Sequence, residues 1–556
     1  MEKIWLKNWP SDVPLEIAYL QGRKPLFEYL RVHAGTWPDK TAINYYGLKI
    51  SYAELDRLTD NFAAYLSREG VRKGDRVAIY MQNCPQYSIC QIGAHKAGAI
   101  VVPCGPMFKA WELEEEIAQT GTRTIVCQDE LFPNVEEADA KCKFDRIIVT
   151  GFADFLPEAP SYRIHETMKA PRVHFPHTIE LLDIMRQEFG RFNSPDVTVD
   201  DVCLLQFTSG TTGLPKGAML THGNQLYKSA AQATVYKYRS DDLMLTAMPT
   251  YHIAGMLWGL TTPLYIGCTM VMMTRFDPVA MAEAIRNLEC TKMYGTVSMN
   301  VDVMNVPQIA SYDLSSMRIT LATSFGIFLT DDVAERWVNI TKGGVIVEAA
   351  YGLSETHTGD TFSPLDKPRT GSVGIPHDGT DIRIVDFDDP GLELEPGKVG
   401  EITVSSPAVF KGYWDREEAT REALRDGRLY TGDMGKFDED GYMYFLGRKK
   451  EMIKSSGYAV SPEEVEAFMM RHPAVKQAVC IPIPDPRRGE SVKAFIVLNQ
   501  DYADEITEQD LINWAKDKMA AYKYPRAIAF RSEVPKSATG KILRRVLREE
   551  EARKTP

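Results

Sequence analysis

The chain has 556 residues, more than one hydrophobic core usually organises, so we expect two or more domains. Apolar residues make up 44% and charged residues 25%, a composition that is typical of a soluble globular protein and argues against extensive disorder. The formal net charge of −12 argues against nucleic acid as the main partner, because phosphate contacts need a clustered basic surface.

Helical and strand patterns alternate over roughly the first 450 residues. The stretch SYAELDRLTDNFAAYLSREG (51–70) predicts a helix that is capped by Ser51, with Glu54 three residues later and Gly70 at its end. Short runs rich in β-branched residues predict buried strands at 75–81, 122–128, 145–151 and 269–274. Strands separated by helix-length segments imply parallel sheets covered by helices, so the predicted fold class is α/β.

Residues 251–274 contain no Asp, Glu, Lys or Arg and are long enough to be weighed as a membrane span. Pro263 and Gly255, Gly259 and Gly267 interrupt the stretch, so a buried helix followed by a buried strand accounts for it better. The N-terminus lacks the basic-then-apolar run of a signal peptide, and the nine cysteines form no C-x-x-C pair. We therefore expect a cytoplasmic protein with reduced thiols, no transmembrane span and no zinc site.

The sequence changes character from about residue 370. Short alternating strands joined by Gly and Asp turns, as in GTDIRIVD, GEITVSS and GYMYFLG, predict a smaller β subdomain over about 370–449. A charged segment that begins GRKKEMIK then precedes a helix capped by Ser461, two strands and a further helix at 507–519. We predict an N-terminal domain of residues 1–449 and a compact α+β C-terminal domain of residues 450–556, with a hinge near Lys450.

A basic run lies near the C-terminus and is followed at once by three glutamates. It consists of Lys541, Arg544, Arg545 and Arg548. A solvated helical face is the favoured interpretation, with phosphate binding as the alternative.

The stretch TSGTTGLPKG (208–217) has too many glycines and hydroxyl side chains for a helix or a core strand. Its glycines let the backbone approach a ligand closely, and successive amides and hydroxyls make an anion cradle to which a lysine adds charge. The candidate cradle residues are Thr208, Ser209, Gly210, Thr211, Thr212, Gly213 and Lys216. The loop matches neither the Walker A nor the dinucleotide pattern, and composition alone leaves a flexible turn open.

TSGTTGLPKG resembles the signature loop of the adenylate-forming superfamily, which comprises acyl-CoA synthetases, aryl-CoA ligases, firefly-type luciferases and peptide-synthetase adenylation domains. Further motifs of that superfamily recur in the expected order: PTYHIAGM (249–256), YGLSET (351–356), GSVGIP (371–376), GEI and GYW (within 400–414), YTGD (430–433), GRKKEMIKSSGY (447–458) and PKSATGKILRR (535–545). The resemblance covers nearly the whole chain, and the sequence pattern is most similar to that of fatty-acyl-CoA synthetases. It implies the adenylate-forming fold, with parallel sheets, a β subdomain and a mobile C-terminal domain.

The resemblance also implies a reaction. A carboxylate is joined to AMP with loss of pyrophosphate, and the acyl group then passes to the thiol of coenzyme A. ATP, Mg²⁺ and coenzyme A are therefore the expected cofactor and co-substrates. Because two anions meet at the α-phosphorus, the site must supply positive charge and hydrogen-bond donors where negative charge develops.

Matching positions carry the implied roles at the nucleotide. Glu355 is expected to hold Mg²⁺, together with Thr208, because carboxylate and hydroxyl oxygens suit a hard cation. Thr356 is expected to donate to the α-phosphate, and Tyr351 with Gly352 to lie at the adenine ring. From the residues alone, a helix-start carboxylate, a capping hydroxyl and a buried aromatic remain open interpretations.

Asp433 resembles the acceptor of both ribose hydroxyls, and Arg448 is expected to reach the ribose or a phosphate. Lys541 resembles the lysine that bridges the carboxylate and the α-phosphate during adenylation. The resemblance implies that the C-terminal domain rotates about Lys450 after pyrophosphate leaves, which withdraws Lys541. Lys454 and Gly457 in the segment 447–458 are then expected to serve the coenzyme A channel.

His252 resembles the gate between the acyl pocket and the ATP site, with a core histidine as the alternative. The neighbouring residues 251–254 provide no carboxylate that could pair with an ammonium, which argues against a free amino acid as substrate. ATSFGIFLT (322–330) departs from the small-residue run that many relatives carry, because Phe325 and Phe328 add bulk. His357 directly after YGLSET is also unusual, and both departures leave the acyl length open.

The apolar residues Met256, Trp258 and Met299 favour an unbranched or aromatic acid over a polar one. A medium- to long-chain fatty acid is favoured, with an aryl or short-chain acid next. Three further functions stay open from the sequence: a luciferase-type monooxygenase, an acyl-AMP ligase that loads a separate carrier protein, and a non-enzymatic nucleotide-binding protein. A homodimer and peripheral membrane contact also remain open.

Overall fold

The computed structural model describes residues 3–208, 215–324, 327–455, 458–502, 505–537 and 540–554. The α-helices are α1 Leu26–Thr36, α2 Tyr52–Arg68, α3 Pro85–Lys96, α4 Ala110–Thr120, α5 Phe132–Cys142, α6 Leu181–Arg186, α7 His222–Val235, α8 Ile253–Met256, α9 Thr262–Ile266, α10 Pro278–Leu288, α11 Val297–Met304, α12 Asp331–Thr341, α13 Glu417–Ala423, α14 Pro462–Met469, α15 Glu508–Lys518 and α16 Arg544–Lys554.

The strands of the first 362 residues are β1 Thr41–Tyr45, β2 Leu48–Ser51, β3 Arg76–Tyr80, β4 Ile100–Cys104, β5 Thr124–Gln128, β6 Arg146–Thr150, β7 Ile179–Glu180, β8 Val202–Thr208, β9 Lys216–Thr221, β10 Leu243–Thr246, β11 Thr269–Met272, β12 Lys292–Thr296, β13 Ile319–Thr323, β14 Val345–Glu348 and β15 Thr361–Phe362. The later strands are β16 Ile375–Pro376, β17 Asp381–Val385, β18 Gly400–Ser405, β19 Leu424–Arg425, β20 Arg428–Phe437, β21 Met443–Arg448, β22 Ile453–Ser455, β23 Tyr458–Val460, β24 Val475–Asp485, β25 Gly489–Leu498 and β26 Ala527–Phe530.

Two sheets of mainly parallel strands make up the larger part of the chain. Sheet 1 has the strand order β7-β6-β5-β3-β4-β8-β9, and sheet 2 has the order β14-β13-β12-β10-β11-β1-β2. Each sheet ends in one antiparallel pair, β8 with β9 and β1 with β2. Buried residues of both sheets and of the helices beside them form one large hydrophobic cluster. The predicted α/β class is confirmed.

Helices α3 and α7 pass through this core. Every residue of α3 is buried, and α7 is buried along nearly its whole length even though it carries Lys228 and two glutamines. A buried charge or amide must find a partner, because leaving one unpaired in the interior costs free energy. The polar residues of α7 therefore point to interactions with the loops that pack on it.

Local signals set the element boundaries as predicted. The Ser51 side chain accepts a hydrogen bond from the Glu54 amide, which begins α2 one residue after the cap. The uncharged stretch 251–274 forms α8, a π-helical turn at Leu257–Thr261, α9 and β11, with Pro263 in the first turn of α9. In the described residues no helix is long and apolar enough to cross a membrane.

Smaller sheets complete the chain. Sheet 3 has the antiparallel order β17-β18-β20-β19, with β21 also paired to β20, and it corresponds to the predicted β subdomain. Sheet 4 contains β22 to β26, of which β26 pairs in parallel with β25. Sheet 4 and its helices have hydrophobic clusters of their own, as expected for a small α+β C-terminal domain. The exact boundary at residue 450 stays a prediction.

Candidate functional site

The glycine-rich run joins the two antiparallel strands at the edge of sheet 1. Residues 209–214 lie outside the described residues, so the predicted positions Ser209, Gly210, Thr211, Thr212 and Gly213 cannot be compared with the structure. The flanking strands β8 and β9 are paired so that residues 208 and 216 face each other, and the hydroxyl at 208 donates to the carbonyl at 216 over 3.4 Å.

Lys216 and Thr208 thus hold the two ends of the loop together. The Lys216 ammonium lies 5.2 Å from the ring centre of Tyr413, a cation–π distance. Tyr413 belongs to the GYW motif, and its hydroxyl also contacts Glu355. One aromatic ring therefore links the glycine-rich loop to the YGLSET segment.

A carboxylate, a phenol and a guanidinium meet at the pairing of β20 with β21. Asp433 and Arg448 are direct partners in the register of the two strands, and Arg448 Nε lies 2.6 Å from Asp433 Oδ1. The Tyr351 hydroxyl donates to Asp433 Oδ2 over 2.8 Å. Burial raises the pKa of Asp433 to about 6, although the neighbouring guanidinium lowers it. The structure thus brings together three residues that the motifs predict for one nucleotide.

Tyr351 is itself buried, and its ring lies 5.9 Å from that of Phe445 in a tilted arrangement. Phe445 keeps 37% of its surface exposed, so the aromatic pair reaches the protein surface beside Asp433. Flat rings of this kind suit a planar base. Phe445 is a site residue that the sequence analysis missed, since a single aromatic in an alternating strand carries no distinguishing pattern.

Lys541 comes from the C-terminal segment and interacts electrostatically with Asp433 and Arg448 of the same cluster. Desolvation lowers the pKa of Lys541, and Arg448 lowers it further, whereas Asp433 raises it. The same ammonium adds to the burial that lowers the pKa of His252 to about 4. Lys541 is exposed, although the surrounding protein displaces enough of its hydration to lower the pKa of its ammonium.

The segment that carries Lys541 is anchored by the basic run that follows it. Arg544 lies 2.9 Å from a carboxylate oxygen of Glu451, 2.9 Å from one of Glu463 and 2.8 Å from one of Glu466. Arg544 is therefore engaged by acidic residues, and the interpretation of the whole run as a solvated face is wrong at this position because α16 packs against sheet 4 and α14. Its partner Glu451 lies one residue after Lys450, which is exposed.

Glu355 and Thr356 occupy a short 3₁₀ turn at Ser354–Thr356. The Tyr413 hydroxyl donates to Glu355 Oε1 over 2.7 Å, and the Phe410 amide donates to the Glu355 carbonyl over 2.8 Å. Thr356 is fully buried, and its hydroxyl donates to Asp360 Oδ2. Tyr413 and Asp360 are contacts that the sequence analysis missed.

Close packing against the loop 357–360 leaves no room for a side chain at Gly352. A Cβ atom at this position would lie 2.4 Å from the backbone nitrogen of Gly359, closer than any side chain tolerates. The YGLSET segment therefore lies directly on the loop 357–360. The predicted adenine contact of Gly352 stays a prediction.

His252 begins helix α8. Its Nδ1 accepts a hydrogen bond from the Ala254 amide over 3.4 Å, so the proton of the neutral ring is on Nε2. The low pKa of His252 keeps the ring neutral near pH 7. A neutral ring beside a lysine is compatible with the predicted gate, which the structure does not test.

Residues predicted for the acyl wall lie in the core behind this helix. Met256, Trp258 and Met299 are buried, and the Trp258 ring lies 4.3 Å from that of Tyr294. Phe328 is half-buried, whereas Phe325 lies outside the described residues. His357 is fully buried in a left-handed conformation (φ 56°), and both its ring nitrogens lack a hydrogen-bond partner among the described residues.

The sequence analysis also missed a half-buried carboxylate, Glu348. Glu348, at the end of β14, accepts hydrogen bonds from the Ser324 amide over 3.1 Å and from the Ser324 hydroxyl over 2.6 Å. Burial raises the pKa of Glu348 to about 7, and these two hydrogen bonds lower it only in part. Glu348 holds the segment that replaces the usual small-residue run. Of the predicted coenzyme A residues, Lys454 is described only as part of β22, and Gly457 lies outside the described residues.

Comparisons with known proteins give matches over nearly the whole chain. The sequence profile of the family described as AMP-binding enzyme matches residues 30–414, and that of the AMP-binding enzyme C-terminal domain matches residues 464–541. A long-chain-fatty-acid--CoA ligase of Bacillus subtilis (strain 168) is 36% identical over 99% of this chain and 98% of its own length. A feruloyl-CoA synthase of Amycolatopsis sp is 33% identical over 92% of this chain and 97% of its own length.

Among solved structures, the anthranilate CoA ligase AuaEII in complex with anthranoyl-AMP is similar in fold. It superposes with a TM-score of 0.84, at 26% identity, over 98% of each chain.

The raised pKa of Asp433 predicts a stability difference that depends on pH. The folded-state pKa of about 6 lies above the ordinary value of 3.8, so the folded protein binds a proton more readily than the unfolded chain, and the folded state gains stability as the pH falls from 7 to 5. Asp433→Asn removes this gain. The stability of the wild type relative to the variant should therefore rise by about 1 kcal/mol over this range.

Thermal unfolding of both proteins at pH 7, 6 and 5 measures the difference. Other acids such as Glu348 titrate in both proteins and cancel. A difference that stays constant, or that falls as the pH is lowered, would contradict the raised pKa.

Proposed function

The chain belongs to the AMP-binding enzyme family and is an acyl-CoA ligase, and we propose that it activates a medium- to long-chain fatty acid at the cleft between Asp433 and Lys541. The family matches confirm the resemblance predicted from the motifs. The observation that supports the proposed site is that Lys541, from the C-terminal segment, interacts electrostatically with Asp433, Arg448 and His252, of which Asp433 and Arg448 form an ion pair.

In the proposed first half-reaction, a carboxylate oxygen of the acid attacks the α-phosphorus of ATP. The new bond joins that oxygen to phosphorus, and the bond to the β-phosphate oxygen breaks, so that pyrophosphate leaves with the electron pair. Lys541 places a positive charge between the two reacting anions, which lowers their repulsion and stabilises the charge that develops. Asp433 accepts from the ribose hydroxyls, and Arg448 keeps Asp433 in its charged form.

In the proposed second half-reaction, the thiolate sulfur of coenzyme A attacks the acyl carbon. The carbon–sulfur bond forms, the bond from that carbon to the AMP oxygen breaks, and AMP leaves. We propose that residues 450–556 rotate about Lys450 between the two steps. In the present arrangement the Ser461 hydroxyl donates to the Leu446 carbonyl over 2.6 Å across that boundary, a contact that such a rotation would break.

The residues near Glu355 fit a magnesium ion. Within the described part of the chain, no group of three or more His, Cys, Asp or Glu residues could hold a metal by itself. Mg²⁺ is usually held by one or two carboxylates together with substrate phosphates, a requirement that Glu355 and the Thr208 hydroxyl suit. When bound, the ion supplies positive charge to the non-bridging phosphate oxygens.

The acyl chain is proposed from the lining and from the relatives. Buried Met256, Trp258 and Met299 favour an apolar chain, and full-length relatives are named as long-chain-fatty-acid--CoA ligases. An aromatic acid is the second candidate, because the Trp258–Tyr294 pair offers a stacking wall and a relative at 33% identity is named as a feruloyl-CoA synthase.

We also propose a cytoplasmic location, which the nine free thiols support, since unpaired cysteines are usual in a reducing compartment. Homodimerisation and peripheral membrane contact stay predictions.

A panel of acids tests the proposed substrate. Pyrophosphate release should be fastest with octanoate to palmitate, slower with benzoate and ferulate, and slowest with acetate. The reason is that an acid with more apolar surface to bury against the proposed apolar lining binds more favourably. Formation of the matching acyl-CoA, measured by mass spectrometry, should require both ATP and coenzyme A. A maximum at ferulate would favour the aryl alternative, and thioester formation with none of these acids would contradict the proposed function.

Removal of the Lys541 ammonium should affect the half-reactions unequally. Lys541→Ala is expected to slow acyl-AMP formation by about 100-fold or more, since one charged donor at the reacting centre is lost. Thioester formation from supplied acyl-AMP should change little, because the proposed rotation withdraws Lys541 from that step.

Rapid quench of each half-reaction measures the split. Lys141→Ala removes an exposed lysine of α5 that pairs with Glu114, far along the chain from the predicted site residues, and serves as the matched control. Equal losses in both half-reactions would count against the role of Lys541.

A further inference from the structure

A buried ion pair lies beneath the YGLSET segment. Lys228 of α7 and Asp360 both have fully buried side chains, and Lys228 Nζ lies 2.6 Å from Asp360 Oδ1. The same ammonium donates to the Gly359 carbonyl over 2.8 Å. A single lysine thus fixes both the backbone and the side chain of the loop 357–360.

Asp360 in turn contacts both ends of the YGLSET segment. Its backbone amide donates to the Tyr351 carbonyl over 2.7 Å, and its second carboxylate oxygen accepts from the Thr356 hydroxyl. Thr356 Oγ1 also accepts from the Leu353 amide over 3.3 Å. The Leu353 carbonyl lies 3.2 Å from the same oxygen as a second acceptor, but the charged Asp360 carboxylate is the stronger acceptor for the single hydroxyl hydrogen and so orients the Thr356 side chain.

Glu355 and Thr356, which are neighbours in the turn, are therefore held by different parts of the chain. Tyr413 holds the Glu355 carboxylate over 2.7 Å, whereas the pair Lys228–Asp360 holds Thr356. This arrangement fixes the turn at the residue next to the proposed Mg²⁺ ligand.

A contribution to folding stability does not by itself explain the buried pair Lys228–Asp360. A buried ion pair that is replaced by apolar residues of similar volume often leaves stability unchanged or raised, because the desolvation of two charges offsets their attraction. The pair in this chain is connected by a hydrogen bond to a residue of the nucleotide motif, which gives it a role that an apolar pair could not fill.

We propose that Asp360, held by Lys228, is a positioning residue for adenylation that acts through the Thr356 hydroxyl. This inference rests on the proposed function, because it takes the turn Ser354–Thr356, which contains the proposed Mg²⁺ ligand Glu355, as part of the nucleotide site. Asp360 and Lys228 do not touch the substrates. They set the orientation of Thr356, and their loss lowers the rate of acyl-AMP formation and leaves the later thioester step intact.

Two charge-free double variants test the proposal. Lys228→Met/Asp360→Asn keeps an acceptor oxygen for Thr356, and Lys228→Met/Asp360→Leu removes it, while both leave no unpaired buried charge. The leucine variant should form acyl-AMP about 10- to 100-fold more slowly than the asparagine variant, mainly in kcat, because small misplacements at a reacting centre are costly. Both should convert supplied acyl-AMP to the thioester at the wild-type rate.

A Thr356→Val background separates positioning from a general structural effect. If Asp360 acts through Thr356, changing Asp360 from Asn to Leu should cost nothing further once the hydroxyl is absent. Should the leucine variant fail to fold, Asp360→Glu keeps the charge and displaces the oxygen by one methylene, and the same selective loss is expected.

Equal adenylation rates for the asparagine and leucine variants would overturn the proposal, as would parallel losses in both half-reactions or an undiminished loss in the Thr356→Val background. Failure of the proposed function gives a different result, since the wild type would then form no acyl-AMP with any acid.

Discussion

The site depends on one electrostatic constraint: a carboxylate and a polyphosphate must be brought together although both are anions. In the proposed site, cationic groups from separate regions meet this constraint, Arg448 from sheet 3 and Lys541 from the C-terminal segment. The cleft also contains the buried carboxylate of Asp433, whose raised pKa shows how strongly burial disfavours its charge. Arg448 and Tyr351 compensate that charge, so the carboxylate proposed to accept the ribose hydroxyls can be kept in the interior.

The sheets position these groups by register and by edge pairing. The pairing of β20 with β21 sets Asp433 opposite Arg448, and the pairing of β8 with β9 fixes both ends of the glycine-rich loop. The YGLSET segment, by contrast, has little secondary structure of its own. Side chains from elsewhere hold it, namely Tyr413 at Glu355 and Asp360 at Thr356, and the buried α7 supplies Lys228 beneath. Much of the site geometry thus comes from tertiary contacts.

The contrast between local patterns and tertiary contacts explains which parts of the fold and the site could be predicted from the sequence. The cap at Ser51, the buried strands and the change to short antiparallel strands after residue 370 follow from local patterns, and the structure confirms them. The motifs also identified residues that the fold brings together, such as Tyr351, Asp433 and Arg448. The pair Lys228–Asp360 could not be found in this way, because 132 positions separate its members and neither lies in a recognisable pattern.

The residues proposed to line the acyl pocket also could not be placed from the sequence alone. The uncharged stretch 251–274 was correctly predicted to be buried, but its π-helical turn, which carries Trp258 towards Gln232 and Tyr294, depends on packing against α7 and β12. A change of one side chain in such a wall alters the chain length that it accepts, and this is why the substrate cannot be deduced from composition. The environment of Arg544 also could not be predicted from the sequence, because its three acidic partners become neighbours only after the C-terminal segment folds.

In the proposed reaction the acid is activated by direct attack of its own oxygen on the α-phosphorus. A fatty acid labelled with heavy oxygen in its carboxylate, turned over with ATP and coenzyme A, tests this most directly when AMP and pyrophosphate are analysed by mass spectrometry. Direct attack leaves one labelled oxygen in each AMP and none in pyrophosphate. Label in pyrophosphate, or AMP without label while acyl-CoA accumulates, would contradict it.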